Sequence, residues 1–395
     1  MIYKDVLIVG AGAAGLMCAG MAGARGRSVC VVEHTGKIAE KIRISGGGRC
    51  NFTNIHTAPD KFISNNPRFC ASALSRFRVA DFIAMVERHN VPYHEKTLGQ
   101  LFCDRSAQDI IDMLLAECRD GGVDIKTSTT IDKIERGEDD GFIVSTSSGV
   151  ITCASLVVAT GGLSIPKIGA TPFGFKIAQQ FGLSVVAPRA GLVPLTFDPA
   201  LLAHTKELSG VSVDPVRVSS KDGMAFDEAM LFTHKGISGP AILQISSYWN
   251  TGEDITLNLA PTLDMLAWLK EQRKAHAKSS LANVLSDILP KRLAQFIADD
   301  LNLNTRMADL PDKALMAIAA HINTWRVKPS GSEGYRTAEV TLGGVDTAQI
   351  SSKTFEAAGV KGLYFIGEVL DVTGHLGGYN FQWAWASGWC AGQFV

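Results

Sequence analysis

The run Val6-Leu7-Ile8-Val9-Gly10-Ala11-Gly12-Ala13-Ala14-Gly15 decides the fold. Four apolar residues in a row, all of them branched at Cβ or Cγ, read as a strand covered on both faces, since a strand with one wet face would alternate. It leads without a break into G-x-G-x-x-G. A helical pattern follows at Leu16, Met17, Ala19, Met21 and Ala22 and stops near Gly26. A second apolar strand, Val29 to Val32, ends on Glu33.

Each part meets a need of a bound dinucleotide. Gly10 permits the tight turn, Gly12 removes the side chain that would block a pyrophosphate, and Gly15 lets helix and strand pack closely. The helix begins at Ala13 and Ala14, and its N-terminus offers unpaired N–H groups and a positive dipole end. Glu33, 18 residues after Gly15, stands where a carboxylate accepts hydrogen bonds from a ribose diol. The fold class is therefore α/β with a Rossmann-like domain.

Composition sets the frame for the rest. The 395 residues are long enough for two or three domains, 46% are hydrophobic and 19% charged, as in ordinary globular enzymes. The formal net charge of -1 gives no bulk attraction to nucleic acid or anionic membrane, so neither partner is expected. No stretch approaches the ~18 uninterrupted apolar residues of a membrane span, and the N-terminus lacks the basic start of a signal peptide. Cysteines at 18, 30, 50, 70, 103, 118, 153 and 390 fall at no C-x-x-C spacing and form no His/Cys cluster. They indicate free thiols in a cytoplasmic protein without a metal centre.

Lys41-Ile42-Arg43-Ile44-Ser45-Gly46-Gly47-Gly48-Arg49-Cys50-Asn51 is the most unusual local sequence. Three consecutive glycines leave the backbone unshielded and free to turn its N–H groups toward negative oxygens. Lys41, Arg43 and Arg49 add charge-assisted donors. Helical spacing marks 79–90 and 106–119, with Gly99 to Phe102 in the connection between them. Strands are expected near 124–126, 130–134, 142–146 and 150–153. Leu156-Val157-Val158-Ala159-Thr160-Gly161-Gly162 reads as a further buried strand ending in small residues. Without a third glycine or a terminal acid it is a backbone approach to the same nucleotide, not a second site.

The pattern changes near Pro188. Short strands at 193–197, 211–218, 224–232 and 255–259 indicate a small sheet or barrel, with a tight turn at Phe232 to Pro240. Helices follow: one after Thr262, one opened by Pro290 and one over 314–322. We therefore place a nucleotide domain at 1–188 and 337–395, an inserted β-barrel at 189–260 and 327–336, and a helical subdomain at 261–326. In the last segment an apolar strand, Leu363 to Ile366, ends on Gly367-Glu368. Gly374-His375-Leu376-Gly377-Gly378-Tyr379-Asn380 then opens a final helix over about 381–390, a second glycine-rich turn feeding a helix N-terminus.

Further motifs complete a resemblance: Ile44 to Asn51, Leu231-Phe232-Thr233-His234 with Gly236 and Ser238-Gly239-Pro240, and Gly367 to Val372 with Gly377 to Asn380 and Gln382-Trp383-Ala384. Over essentially its whole length the chain resembles the BaiN/YhiN-type, HI-0933-like family, also labelled the aminoacetone-oxidase family of FAD-binding proteins. The resemblance implies a bound FAD and a discontinuous Rossmann-like domain. By position it implies a pyrophosphate loop of Gly10, Gly12, Ala13, Ala14 and Gly15, with Glu33 on the ribose. Lys41, Ser45, Gly46, Gly47, Arg49, Cys50 and Asn51 would line the cofactor, and Ile131 would meet the adenine through its backbone. Ala159, Thr160 and Gly161 would pass the ADP, Gly367 and Glu368 hold the ribityl chain, and Gly378, Tyr379, Asn380 and Phe381 cap the ring.

These readings converge on an FAD-dependent oxidoreductase that moves a hydride or electron pair between flavin and a small organic substrate. With one nucleotide fingerprint, NAD(P)H would dock transiently as donor, with dioxygen as a possible acceptor. A redox-active cysteine pair is absent, which argues against a disulfide reductase. His234, His375, Tyr379 and Cys50 are polar groups near the expected ring, but no catalytic residue is identifiable, and the oligomeric state is open. A flavin-binding redox sensor without turnover is the alternative. A flavoenzyme acting on RNA bases is a third class, opposed by the balanced charge and the lack of a basic stripe.

Overall fold

The computed structural model describes residues 1–137 and 139–395. The chain divides into two compact units, Met1–Arg189 with Val340–Val395, and Ala190–Glu339.

The first unit is built on the sheet that the opening sequence announces. Ile2–Val9 is its central strand, pairing in parallel with Val29–Val32 on one side and Gly149–Val158 on the other. Asp124–Lys126 extends the sheet beyond Val29–Val32, and Leu363–Phe365 pairs in parallel with the end of Gly149–Val158. Val6 to Val9, Val29 to Val32 and Leu156 to Val158 are all buried. Their unbroken apolar runs are what a parallel sheet covered on both faces requires.

Two expected strands prove to be one. Residues 150–153 and 156–158 belong to the single strand Gly149–Val158. Its first half alternates in burial and pairs antiparallel with Phe142–Thr146, which pairs in turn with Ile131–Arg136. Ile2–Val9 pairs in parallel along both halves, but from Ser155 on the strand is buried throughout and Leu363–Phe365 becomes its other neighbour. The polarity change at Ala154 and Ser155 thus marks a change of surroundings, not a break in the chain.

On the sheet lies the first helix, Ala13–Ala24, and against that helix packs the last, Tyr379–Gly392. Small residues set their approach: a Cβ on Gly388 would come 2.5 Å from the Ala14 carbonyl oxygen, and one on Gly392 would meet Met21 and Cys18. Stacked Phe82–Trp385 and Phe77–Trp389 rings bind the last helix to the 69–88 region. That region holds a helix the spacing did not reveal, Phe69–Arg76, before the expected Val79–Arg88. Gly99 to Phe102 is likewise more than a connection. Gln100–Cys103 is the middle strand of a three-stranded sheet between Asn51–Asn54 and Tyr93–Glu95.

The second unit carries a seven-stranded sheet in the order Trp325–Val327, Ile255–Asn258, Ser212–Ser219, Ala225–Thr233, Gly236–Ser238, Leu195–Thr196, Gly331–Ser332. Met265–Ala275, Leu281–Leu285, Lys291–Asp300 and Asp312–Asn323 are its main helices after residue 260. Strand residues such as Val216 and Leu257 and helix residues such as Leu269 and Ile297 share one hydrophobic core. The Asp264 and Ser280 side chains cap the first two of these helices, as short oxygen-bearing side chains do.

Candidate functional site

The glycine turns sort by what forces each one. Gly10 has φ of 107°, and a Cβ there would lie 2.5 Å from the Ala159 carbonyl oxygen. A Cβ on Gly15 would overlap the Gly10 carbonyl oxygen. Both glycines are demanded by the fold itself. Gly12 is different: its φ of -88° suits any residue, and a Cβ there meets nothing within 4 Å. Neither backbone nor packing requires glycine at that point, which leaves the space beside it as the reason. A pyrophosphate on the helix N-terminus fills such a space.

Glu33 closes the end of this turn. Its Oε2 accepts from Ala11 N at 3.1 Å, and Oε1 accepts from Thr35 N and Oγ1, each at 2.9 Å. The 126–131 segment is stitched alongside, with Glu33 N donating to the Lys126 carbonyl and Thr129 N to that of Glu33. Ile131 begins the next strand, so it stands on the chain leaving the Glu33 end of the site. Ala159 N donates to the Val9 carbonyl at 2.9 Å, which carries Ala159, Thr160 and Gly161 past Gly10. The Thr160 hydroxyl is buried without a partner.

A second centre forms around Glu368. Lys41 Nζ lies 2.9 and 2.7 Å from its two oxygens and donates to Ser164 Oγ at 2.7 Å, while Thr341 N donates to Oε1 at 3.1 Å. Thr341 Oγ1 accepts from Leu163 N and Ser164 N. Gly367 beneath is fixed to the last helix: its N–H donates to Ser387 Oγ, and its carbonyl accepts from Trp383 Nε1. Thr341, Ser164 and Ser387 position this centre, yet nothing in the sequence reading singled them out. A lone threonine in the otherwise apolar buried strand Val340–Val345 is the signal that was there to be read.

The two glycine runs from opposite ends of the chain meet. Gly46, Gly47 and Gly48 have φ of 56, 67 and 85°, three left-handed residues in succession that only glycine adopts readily. A Cβ on Gly46 would be 2.9 Å from Asn51 N, and one on Gly378 would be 2.9 Å from Asn51 Oδ1. Asn51 thus touches both runs, and Asn54 Nδ2 donates to the Gly377 carbonyl at 2.8 Å. Ser45 Oγ turns inward to the Ile42 carbonyl, and Arg49 is exposed. The Asn380 amide is spent on the backbone of Gly374 and His375, and the Phe381 ring stacks on Trp385. What residues 379–381 can offer a ligand is therefore the N–H groups of the helix's first turn.

The polar groups near this junction differ in their chemistry. Cys50 is fully buried with φ of 49°, and burial pushes its thiol well up, away from thiolate. Burial, followed by the Lys61 charge, pushes His375 down to about 4, so its ring is neutral at pH 7. Tyr379 is buried edge-on to Phe62. His234, in the second unit, is exposed. Among the described residues no group of His, Cys, Asp and Glu could hold a metal ion, and no helix is long and apolar enough to cross a membrane.

Residues 4–394 match the model of the HI0933-like protein Rossmann domain. The chain is 50% identical over 397 residues to a ribosomal RNA dihydrouridine synthase of Escherichia coli (strain K12), covering 98% of this chain and 97% of that one. It is 46% identical to a protein of the same name from Haemophilus influenzae (strain ATCC 51907 / DSM 11121 / KW20 / Rd), covering 98% of each. It is 27% identical to a 3-dehydro-bile acid delta(4,6)-reductase of Clostridium scindens (strain ATCC 35704 / DSM 5676 / VPI 13733 / 19), covering 98% of this chain and 97% of that one. None of the three bears the aminoacetone-oxidase name. The two ribosomal RNA names weigh against the expectation that nucleic acid is no partner. The cofactor of this chain is FAD.

Proposed function

Because this chain belongs to the HI0933-like family, we propose that it is an FAD-dependent reductase that saturates the uracil ring of uridine in ribosomal RNA. The observation that carries the reading is 50% identity along nearly the full length of a protein named for that product. The names of the ribosomal and bile-acid relatives share one chemistry. Each describes adding two electrons and two protons across ring carbon–carbon bonds conjugated to a carbonyl. When bound, FAD supplies the hydride equivalent, and NAD(P)H would replenish it.

The chain's own residues supply the rest. Gly12 and the helix at Ala13 would hold the pyrophosphate, and Glu33 the ribose. Glu368, with Lys41 paired to it, would hold the ribityl chain, and the first turn of Tyr379–Gly392 would stabilise negative charge at the pyrimidine end of the flavin. Neither Cys50 nor His375 suits delivery of the second proton at neutral pH, one being sealed in the core and the other unprotonated.

Ribosomal RNA from a strain lacking this gene, incubated with the FAD-loaded protein and NADPH, is expected to gain dihydrouridine by nucleoside mass spectrometry. Absence of dihydrouridine, with flavin that stays reduced when the RNA is added without oxygen, would overturn the reading.

A further inference from the structure

The whole-chain charge of -1 conceals a segregation. Between Lys41 and Ala80 the sequence holds seven lysines and arginines and a single acid, Asp60, leaving a formal -7 on all other residues. Part of this charge is committed inside the protein: Lys41 pairs with Glu368, Arg43 with Glu40, and Arg76 donates to the Ser352 and Lys353 carbonyls. Lys61 pairs with Asp60, and the other three face outward. Arg49 and Arg68 are exposed and, among the described residues, make no side-chain hydrogen bond or ion pair. Arg78 keeps 68% of its side chain exposed beside Asp81. A surface pair of that kind holds its partner weakly.

This basic segment is also fastened to the candidate site. Arg49 directly follows Gly46 to Gly48. Phe62–Ile63 pairs antiparallel with Thr373–Gly374, His375 N donates to the Lys61 carbonyl at 3.0 Å, and Asn54 holds the Gly377 carbonyl. Beside it opens a cleft of about 420 Å³ lined by Ile55, Leu74, Val79 and Ile83, with Arg78 and Thr57 also on its wall. An exposed arginine on the wall of an apolar cleft, Arg78, with Arg49 and Arg68 exposed in the same segment, suits single-stranded RNA, whose phosphates need cations and whose unstacked bases need apolar walls.

Resting on the reading given above, we infer that the exposed face of residues 49–78 is where the RNA substrate binds, with Arg68 and Arg78 contacting phosphates that flank the uridine presented to the flavin. The test compares FAD-loaded wild type with an Arg68→Gln/Arg78→Gln double variant. An Arg119→Gln/Lys133→Gln variant, which loses the same charge elsewhere on the surface, serves as control. Binding of a fluorescein-labelled oligouridine is followed by anisotropy across a salt series. Loss of two phosphate contacts lowers the slope of log K against log salt by roughly 1.4, about 0.7 per contact on a single strand. The double variant is also expected to need more ribosomal RNA for half-maximal dihydrouridine formation, while NADPH-driven dye reduction by its flavin is unchanged. The control matches wild type throughout.

If wild type forms dihydrouridine and the double variant matches it in slope and RNA requirement, the surface assignment falls and the proposed function stands. If the control loses as much as the double variant, binding is bulk electrostatics and the assignment also falls. If wild type converts no uridine, the function falls and this surface with it.

Discussion

Replacing Gly12 or Gly15 by alanine adds the same methyl group three residues apart, with opposite expected consequences. At Gly15 the new Cβ would overlap the Gly10 carbonyl oxygen and press on the Ala159 Cβ at 3.3 Å, so helix and strand must part. Overpacking of this kind costs about 1–3 kcal/mol. At Gly12 the Cβ enters open space from an ordinary φ. Alanine is the poorer N-cap by up to about 1 kcal/mol, while reduced freedom of the unfolded chain returns about 0.4–1 kcal/mol. These nearly cancel, so Gly12→Ala leaves the stability of the flavin-free protein almost unchanged. The two variants then separate in FAD. At free FAD about 100-fold above Kd, wild type gains about 2.7 kcal/mol, and Gly12→Ala at the same FAD concentration gains almost none. Urea unfolding with and without FAD measures both quantities. A Gly12→Ala protein that gains the full wild-type increment would refute the claim that the open side of Gly12 receives the pyrophosphate.

Three other outcomes are expected. Glu33→Ala removes an acceptor for the ribose and raises the FAD Kd by about 10- to 100-fold, the worth of a charge-assisted hydrogen bond. Trp268→Ala, in the other unit, leaves it unchanged; equal flavin retention by the two purified variants would count against the ribose role. His375 titrates at about 4 in the folded chain against 6.5 when exposed, so between those values the unfolded state binds more protons. Its contribution is complete above pH 6.5 and is lost as pH falls to about 4, by up to about 1.4 kcal/mol per pH unit. His375→Gln should flatten the wild-type decline in urea midpoint over that window, and an unaltered decline would show that other groups drive it. All eight cysteines are free and buried, and burial raises every one of their thiols. A thiol reagent should therefore label none in the native protein and eight after denaturation; rapid native labelling would contradict that burial.

The balanced overall charge illustrates how a sequence average misleads. It argued against RNA because 38 basic and 39 acidic residues nearly cancel. Electrostatic attraction acts over about 10 Å at ordinary salt, so what matters is the charge of one face. The excess between Lys41 and Ala80 was present in the sequence and needed only a local count. That Arg49 and Arg68 are exposed while Arg76 is tied to backbone carbonyls was not legible there. It depends on which residues happen to fold nearby.

What the sequence by itself determined was local. The apolar runs at 6–9 and 29–32, the G-x-G-x-x-G between them and the acid at 33 specify a strand, turn, helix and strand whose parts touch within a few dozen residues. Backbone geometry and burial fix such a unit almost without outside help. Tertiary structure decided whatever depends on segments far apart in the chain. It brought Lys41 and Thr341 to Glu368, set Asn51 between Gly46 and Gly378, merged two expected strands into Gly149–Val158, and made Gln100–Cys103 a strand by supplying partners on both sides. Side-chain pattern encodes which face of an element is buried. Which distant residue will meet that face is settled only when the whole core packs.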